Sequence, residues 1–321
     1  GVPYGRIIEH GRIEVERLRS KTTQPAVARR LARTVMRELL PYPRRLRMAG
    51  RMTRVAQALG MTRVMSAGRG LPAVRRAWRP PASGVAEAIG ERRGRVGFLN
   101  GCVMPVMYRP AMAASVRLLQ LAGYDVWFAP TQSCCGALFA HNGDLDEARR
   151  LRDLNARAFG MAEFDFLVVN SAGCGSHLKD FYENLGPRVR DLSEFLVEVG
   201  LPEPRQRVEL RVSYQDACHL AHAQRVKKQP RDLIAAVPGV EFVEMHHPDI
   251  CCGSAGIYNA LEPPMSQQIL DEKMEDLTHT EADVVVTGNP GCQMQLEAGL
   301  RRRGSQMQVW HLAELLVRAY D

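Results

Sequence analysis

Eight cysteines carry the chemistry available to this sequence. They fall into two sets of the same form. The first is Cys102, the pair Cys134-Cys135 followed by Gly136, and Cys174; the second is Cys218, the pair Cys251-Cys252 followed by Gly253, and Cys292. The offset between sets is 116 residues for the leading cysteine, 117 for both members of the pair and 118 for the last. Landmarks that repeat this closely mark an internal duplication. Four thiolates gathered from separate loops make a sulfur-only donor set, the kind that selects iron–sulfur clusters, zinc or copper(I).

Other uses of the cysteines fit less well. An even number permits disulfides, but a bridge within Cys134-Cys135 or Cys251-Cys252 would strain the backbone. A chain of 321 residues with 45% apolar composition also has core enough without such staples. Structural zinc favours C-x₂₋₄-C knuckles, and the sequence contains no C-x-x-C. Unligated core cysteines would leave the repeated spacing without a cause.

The elements that must position these residues alternate in type. Short apolar runs at 96–99, 125–129 and 166–169 read as strands, and each ends just before a cysteine. Helical periodicity covers 112–122 and 145–159 between them. The order returns with strands at 208–214, 240–245 and 284–286 and a helix at 265–277. Strands alternating with helices predict an α/β fold with parallel sheets. The cysteines then lie beyond the carboxyl ends of strands, where open α/β sheets bind ligands. Residues 95–204 and 205–321 are expected to form two duplicated domains, with 1–94 as a basic helical segment and linker. Pro80-Pro81-Ala82-Ser83-Gly84 marks the transition.

In that leading segment, Thr22-Thr23 ahead of Pro25 signals a helix start. Leu31, Val35 and Leu39 follow at helical spacing, and Pro41 and Pro43 end the run. A second run is predicted to place Leu46, Met52, Val55 and Leu59 on one face and to stop at Gly60. Residues 1–80 hold 19 basic against four acidic side chains, a net of +15, while the rest of the chain carries −7. Such a segment suits nucleic acid, an anionic membrane or an acidic protein face. It lacks the interleaved aromatics of a single-strand binder and any nucleic-acid motif; the plain reading is helices with solvated arginine faces, and against it a partner-binding surface, partly folded back on the acidic body, is expected. No stretch reaches the ~20 apolar residues of a membrane span.

His141, His177, His219 and His222 lie near the cysteine loops, and His219 adjoins Cys218. A histidine there can hydrogen-bond, ligate, or move a proton alongside an electron. Gly136, Gly173, Gly253 and Gly291 flank cysteines and would let backbone N–H groups approach sulfur. No glycine-rich dinucleotide fingerprint is present.

Five segments carry a family resemblance: Ser133-Cys134-Cys135-Gly136-Ala137-Leu138, Asn170-Ser171-Ala172-Gly173-Cys174-Gly175, Asp216-Ala217-Cys218-His219-Leu220, Cys251-Cys252-Gly253-Ser254-Ala255-Gly256 and Asn289-Pro290-Gly291-Cys292-Gln293-Met294-Gln295. They resemble the cysteine-rich CCG domain, which occurs twice in one of the subunits of heterodisulfide reductase. It also occurs in iron–sulfur subunits of glycolate, lactate and anaerobic glycerol-3-phosphate dehydrogenases, and the glycolate oxidase subunits are nearest in pattern. Gly1-Val2-Pro3-Tyr4-Gly5-Arg6 is similar to the stretch after the last Cys-Pro of the ferredoxin region in those subunits, which implies a chain without that region. In the heterodisulfide reductase pattern the motif ends Cys-x-x-Cys; here Ser171 and Asn289 replace the first of that pair. The resemblance implies one iron–sulfur cluster per repeat, and four remaining thiolates suit [4Fe–4S]. It further implies an electron-transfer subunit of a 2-hydroxy-acid dehydrogenase, with FAD on partner subunits and a quinone or other carrier as acceptor. Such a chain would be cytoplasmic, with room for peripheral association at the inner face of the cell membrane. The rival readings are a thiol–disulfide reductase subunit and a zinc-binding assembly module.

Overall fold

The computed structural model describes residues 11, 14, 15, 34–61, 74 and 76–321. The helix start at Thr22-Thr23, Leu31 and the Gly1–Arg6 stretch lie outside the described residues. Residues 34–39 are helical. Helix α1 (Pro43–Ala58) opens with proline in its first turn, where no N–H is needed. It ends before Gly60, which takes φ +72°. The expected grouping of its apolar residues is corrected. Leu46 is half-buried, whereas Met52, Val55 and Leu59 are exposed. At about 100° per residue, Leu46 falls on the side of the helix opposite Val55.

The basic segment does return to the body. Met36 and Leu40 pack with Cys134, Phe139 and Ala140. Ser133 donates its hydroxyl to the Pro41 carbonyl, and Arg37 meets Asp144 at 2.7 Å.

Next come β1 (Val85–Ala86), β2 (Gly94–Phe98), α2 (Val103–Met107), α3 (Arg109–Leu121) and β3 (Tyr124–Trp127). Then follow α4 (Ala137–His141), α5 (Leu145–Phe159), β4 (Phe166–Val169), α6 (Ala172–Phe181), β5 (Val189–Asp191) and α7 (Leu192–Val199). The sheet order is β1-β3-β2-β4-β5. All neighbours are parallel except β1, which pairs antiparallel with β3 upstream of the alternating pattern.

The second sheet uses β6 (Leu210–Tyr214), a short π-helical turn (His219–Ala223), α8 (Lys228–Ala235) and β7 (Val240–Phe242). It continues through α9 (Tyr258–Leu261), α10 (Pro263–Thr278), β8 (Val284–Thr287), α11 (Pro290–Arg302), β9 (Gln308–His311) and α12 (Leu312–Val317). Its order, β7-β6-β8-β9, is all parallel and reproduces β3-β2-β4-β5. Val96 faces Val126 and Phe166, as Val212 faces Phe242 and Val284. The α/β class, the parallel sheets and the duplication therefore stand as expected. Strands β5 and β9 went unpredicted because their short runs carry little periodicity of their own.

The two repeats share one apolar core, which includes Phe98, Met112, Leu118 and Phe195 from the first and Tyr214, Val284, Leu315 and Leu316 from the second. Helix α12 packs on α3, whose buried Ala111, Ala114 and Ser115 are small enough for close approach. Truncating a leucine in such a core costs ~2–5 kcal/mol. Among the described residues, no helix is long and apolar enough to cross a membrane.

Candidate metal centres

Each cysteine occupies the loop or first helical turn after a parallel strand. Cys102 follows β2 and precedes α2; Cys134 and Cys135 follow β3; Cys174 lies in the first turn of α6, after β4. In the second repeat Cys218 follows β6, Cys251 and Cys252 follow β7, and Cys292 lies in the first turn of α11, after β8. All eight are free of disulfides.

The sulfurs of each set are joined in series. Cys102 hydrogen-bonds Cys134, which bonds Cys135, and Cys135 meets Cys174 with 3.1 Å between sulfurs. The second set runs Cys218, Cys251, Cys252, Cys292 by the same contacts. The sets also polarise alike. Hydrogen bonds from Cys102 and Cys135 hold Cys134 well below the ordinary thiol range. Those from Cys218 and Cys252 do the same for Cys251. Donating to these neighbours, together with burial, pushes Cys102, Cys135 and Cys252 up. Among the described residues, no three His, Cys, Asp or Glu side chains close around a point that would hold a single ion. The donor chemistry of each set, four buried or half-buried thiols from three loops, fits a sulfur-bridged iron cluster.

The Cys-Cys-Gly loops need their glycines. Gly136 takes φ +93° and Gly253 φ +82°, in the left-handed region. A Cβ on Gly253 would lie 2.5 Å from the Ser266 carbonyl oxygen, and one on Gly136 would lie 3.2 Å from that of Ala148. The loop thus lies against the following long helix in both repeats. Gly253 also donates its N–H to Cys251 Sγ at 3.4 Å.

Several residues that hold these loops gave no signal in the sequence. Asn155 on α5 accepts the Ser133 N–H at 2.8 Å and donates to the Cys134 carbonyl at 2.8 Å. The Tyr182 hydroxyl donates to the Cys135 carbonyl at 2.9 Å. The second repeat uses other braces. Ser266 donates to the Gly253 carbonyl at 2.8 Å. Lys273, with 0% of its surface exposed, donates to the His247 carbonyl at 2.6 Å and has Asp276 3.7 Å away. A fully buried ammonium is tolerated only with such partners. Only their three-dimensional placement separates these residues from ordinary helix side chains.

The two sets face a common interface. His141 of the first repeat lies against His219 of the second, with ring centroids 4.8 Å apart. His219 Nδ1 is 3.5 Å from Cys218 Sγ. His177 stacks on Phe181, and its ring approaches Gly136; His222 is exposed. Asn289, at the replaced-cysteine position, donates to Cys292 Sγ at 3.4 Å and accepts the N–H of Gly173 from the first repeat at 3.2 Å. Ala172 N–H reaches the Gly288 carbonyl at 3.0 Å, and the Gln224 side chain reaches the Ala172 carbonyl at 2.9 Å. Ala172 therefore shares an apolar cluster with Cys252 and Cys292. His311 caps α12 through Nδ1, which accepts from Ala313 N–H, so its Nε2 carries the proton donated to the Asn170 carbonyl at 2.9 Å.

Comparison with known proteins places these features. Residues 96–179 and 212–297 match the cysteine-rich domain family, CCG. Residues 27–70 match the linker region of the glycolate oxidase iron-sulfur subunit. The chain is 34% identical to a probable glycolate oxidase iron-sulfur subunit of Bacillus subtilis, over 99% of this chain and 78% of that protein. It is 34% identical to one subunit of the fumarate reductase (CoM/CoB) of Methanothermobacter marburgensis, covering 74% of this chain and 49% of that protein. It is 28% identical to the lactate utilization protein A of Oceanobacillus iheyensis, covering 69% and 96% of the two chains.

Proposed function

Because this chain belongs to the glycolate oxidase iron–sulfur subunit family, with its paired CCG domains, we propose that it relays electrons through one [4Fe–4S] cluster in each repeat. Cys102, Cys134, Cys135 and Cys174 would ligate the first cluster, and Cys218, Cys251, Cys252 and Cys292 the second. The donor is a flavin, FAD, on a partner dehydrogenase subunit that oxidises a 2-hydroxy acid, glycolate. The acceptor is a quinone or other carrier. The observation that carries this reading is the pair of equivalent four-sulfur sets brought to one interface between the repeats. The clusters supply one-electron transfer. The protein supplies a cage of buried and half-buried sulfurs and hydrogen bonds to sulfur that tune the potential. Ser171 and Asn289 leave four cysteines per repeat, which weighs against the disulfide-reducing alternative.

Replacing Cys252 with Ser puts a hard oxygen where a soft thiolate stood. Iron and acid-labile sulfide should fall by about half relative to the intact chain, since one set of two is lost. In the reconstituted complex the hydroxy acid should still reduce the partner flavin, while quinone-linked turnover stops. Unchanged iron with full turnover would remove these cysteines from the electron path.

A further inference from the structure

Among the described residues, helix α1 leaves one face without a protein neighbour. Its inner side is defined by Gly50, where a Cβ would lie 2.7 Å from a Val106 methyl of α2 and 3.8 Å from Val74. On the far side Met48, Met52, Val55 and Leu59 are 60%, 67%, 54% and 69% exposed. Their spacing of four, three and four residues makes a straight apolar stripe along the helix. Arginines border it. The helix holds Arg44, Arg45, Arg47, Arg51 and Arg54 and no acidic residue. At about 100° per residue, Arg44, Arg51, Arg47 and Arg54 line one margin of the stripe and Arg45 the other.

A cavity of about 330 Å³ opens beside that margin, lined by Arg47, Arg51, Arg54, Arg76 and Arg79 over Val106. Among the described residues none of these five guanidinium groups pairs with a carboxylate. Burial and the guanidinium groups of Arg79, Arg44 and Arg51 push the Arg47 pKa below its ordinary value. Among the described residues, the site is thus a cluster of cations with no internal counter-charge, adjoining an unpartnered apolar stripe.

We propose that α1 and the arginine cavity dock the protein on an anionic phospholipid bilayer, with lipid phosphates at the arginines and the Met48–Met52–Val55–Leu59 stripe at the acyl boundary. The chemistry of both halves points there. A one-helix stripe with cationic margins is the pattern of a helix lying in the membrane interface. A fluid, planar surface dense in phosphate supplies counter-charges at several positions at once. A protein partner would more often be met by Tyr, Trp or another large aromatic anchor, and the stripe has none. This docking deepens the electron-transfer reading by bringing the chain to a lipid-soluble acceptor, yet it requires no cluster.

The test uses the intact chain in vesicle sedimentation, with iron measured in the same samples. Vesicles of phosphatidylcholine alone should leave it in solution. Vesicles of phosphatidylcholine mixed with phosphatidylglycerol should carry it down, and salt should release it. At roughly fivefold per lost positive charge, and with the added carboxylates repelled by the anionic surface, Arg47→Glu, Arg51→Glu and Arg54→Glu together should weaken binding by more than about a hundredfold, with iron content unchanged. Met52→Ser with Leu59→Ser should weaken it by about tenfold through lost apolar contact. If the triple reversal does not fold, Arg51→Gln with Arg54→Gln, both exposed, should still cost on the order of tenfold. Failure to bind anionic vesicles, or equal binding by the variants, overturns the proposal. So does a loss confined to copurification with the flavoprotein subunit, which would assign the surface to a protein. Binding of anionic vesicles by a parent chain that carries no iron would count against the cluster assignment alone.

Discussion

Asn289 of the second repeat holds Gly173 of the first: its side-chain oxygen accepts the Gly173 N–H at 3.2 Å, one residue before Cys174. The same amide donates to Cys292 Sγ at 3.4 Å. One side chain thus couples the first turn of α6 to a sulfur of the other set. It occupies the position where the five-cysteine pattern has a thiol, and it spends that position on joining the repeats.

Asn289→Ala should leave the Gly173 N–H without its acceptor, at a cost of about 1–3 kcal/mol. The expected result is a lower denaturant midpoint with an unchanged slope, measured by urea unfolding. Asn289→Asp keeps the acceptor and should recover part of that loss. Equal midpoints for Asn289→Ala and the parent chain would show the contact to be without weight.

The two Cys-Cys-Gly glycines should differ in tolerance. Alanine at either meets the left-handed φ, worth about 1–2 kcal/mol. At Gly253 the added Cβ also meets the Ser266 carbonyl oxygen at 2.5 Å, whereas at Gly136 the nearest atom is 3.2 Å away. Gly253→Ala should therefore lose more stability and more iron than Gly136→Ala, read by thermal midpoint and metal analysis. The reverse order would mean that the loops are not held against their helices as described.

His311 should make stability depend on pH. Burial lowers its pKa from 6.5 to about 4, so the folded chain keeps it neutral where the unfolded chain protonates. Its contribution is complete above pH 6.5 and is lost as pH falls from there toward 4. At about 1.4 kcal/mol per pKa unit, the effect is on the order of 3 kcal/mol. Unfolding free energies between pH 8 and pH 5 should fall more steeply for the parent chain than for His311→Gln. Parallel profiles would refute this.

The sequence by itself determined the duplication, the α/β class and the cysteines that meet. Chain spacing is inherited whole by a repeat, and a strand–helix alternation leaves its period in the apolar pattern. The strand orders β3-β2-β4-β5 and β7-β6-β8-β9 bear out that expectation. Tertiary structure decided what lies between the repeats. The His141–His219 pairing, the Asn289 bridge and the His311–Asn170 hydrogen bond each join residues more than 70 positions apart. Such contacts come from the packing of one repeat on the other and leave no local period. The bracing of the loops was equally hidden: Asn155, Tyr182 and Lys273 sit in helices or at their ends, and only burial beside a cysteine loop gives them a task. Leu46 shows the same limit on a single helix. Its apolar character was legible, but the face it turns to the body was fixed by Gly50 seated on Val106.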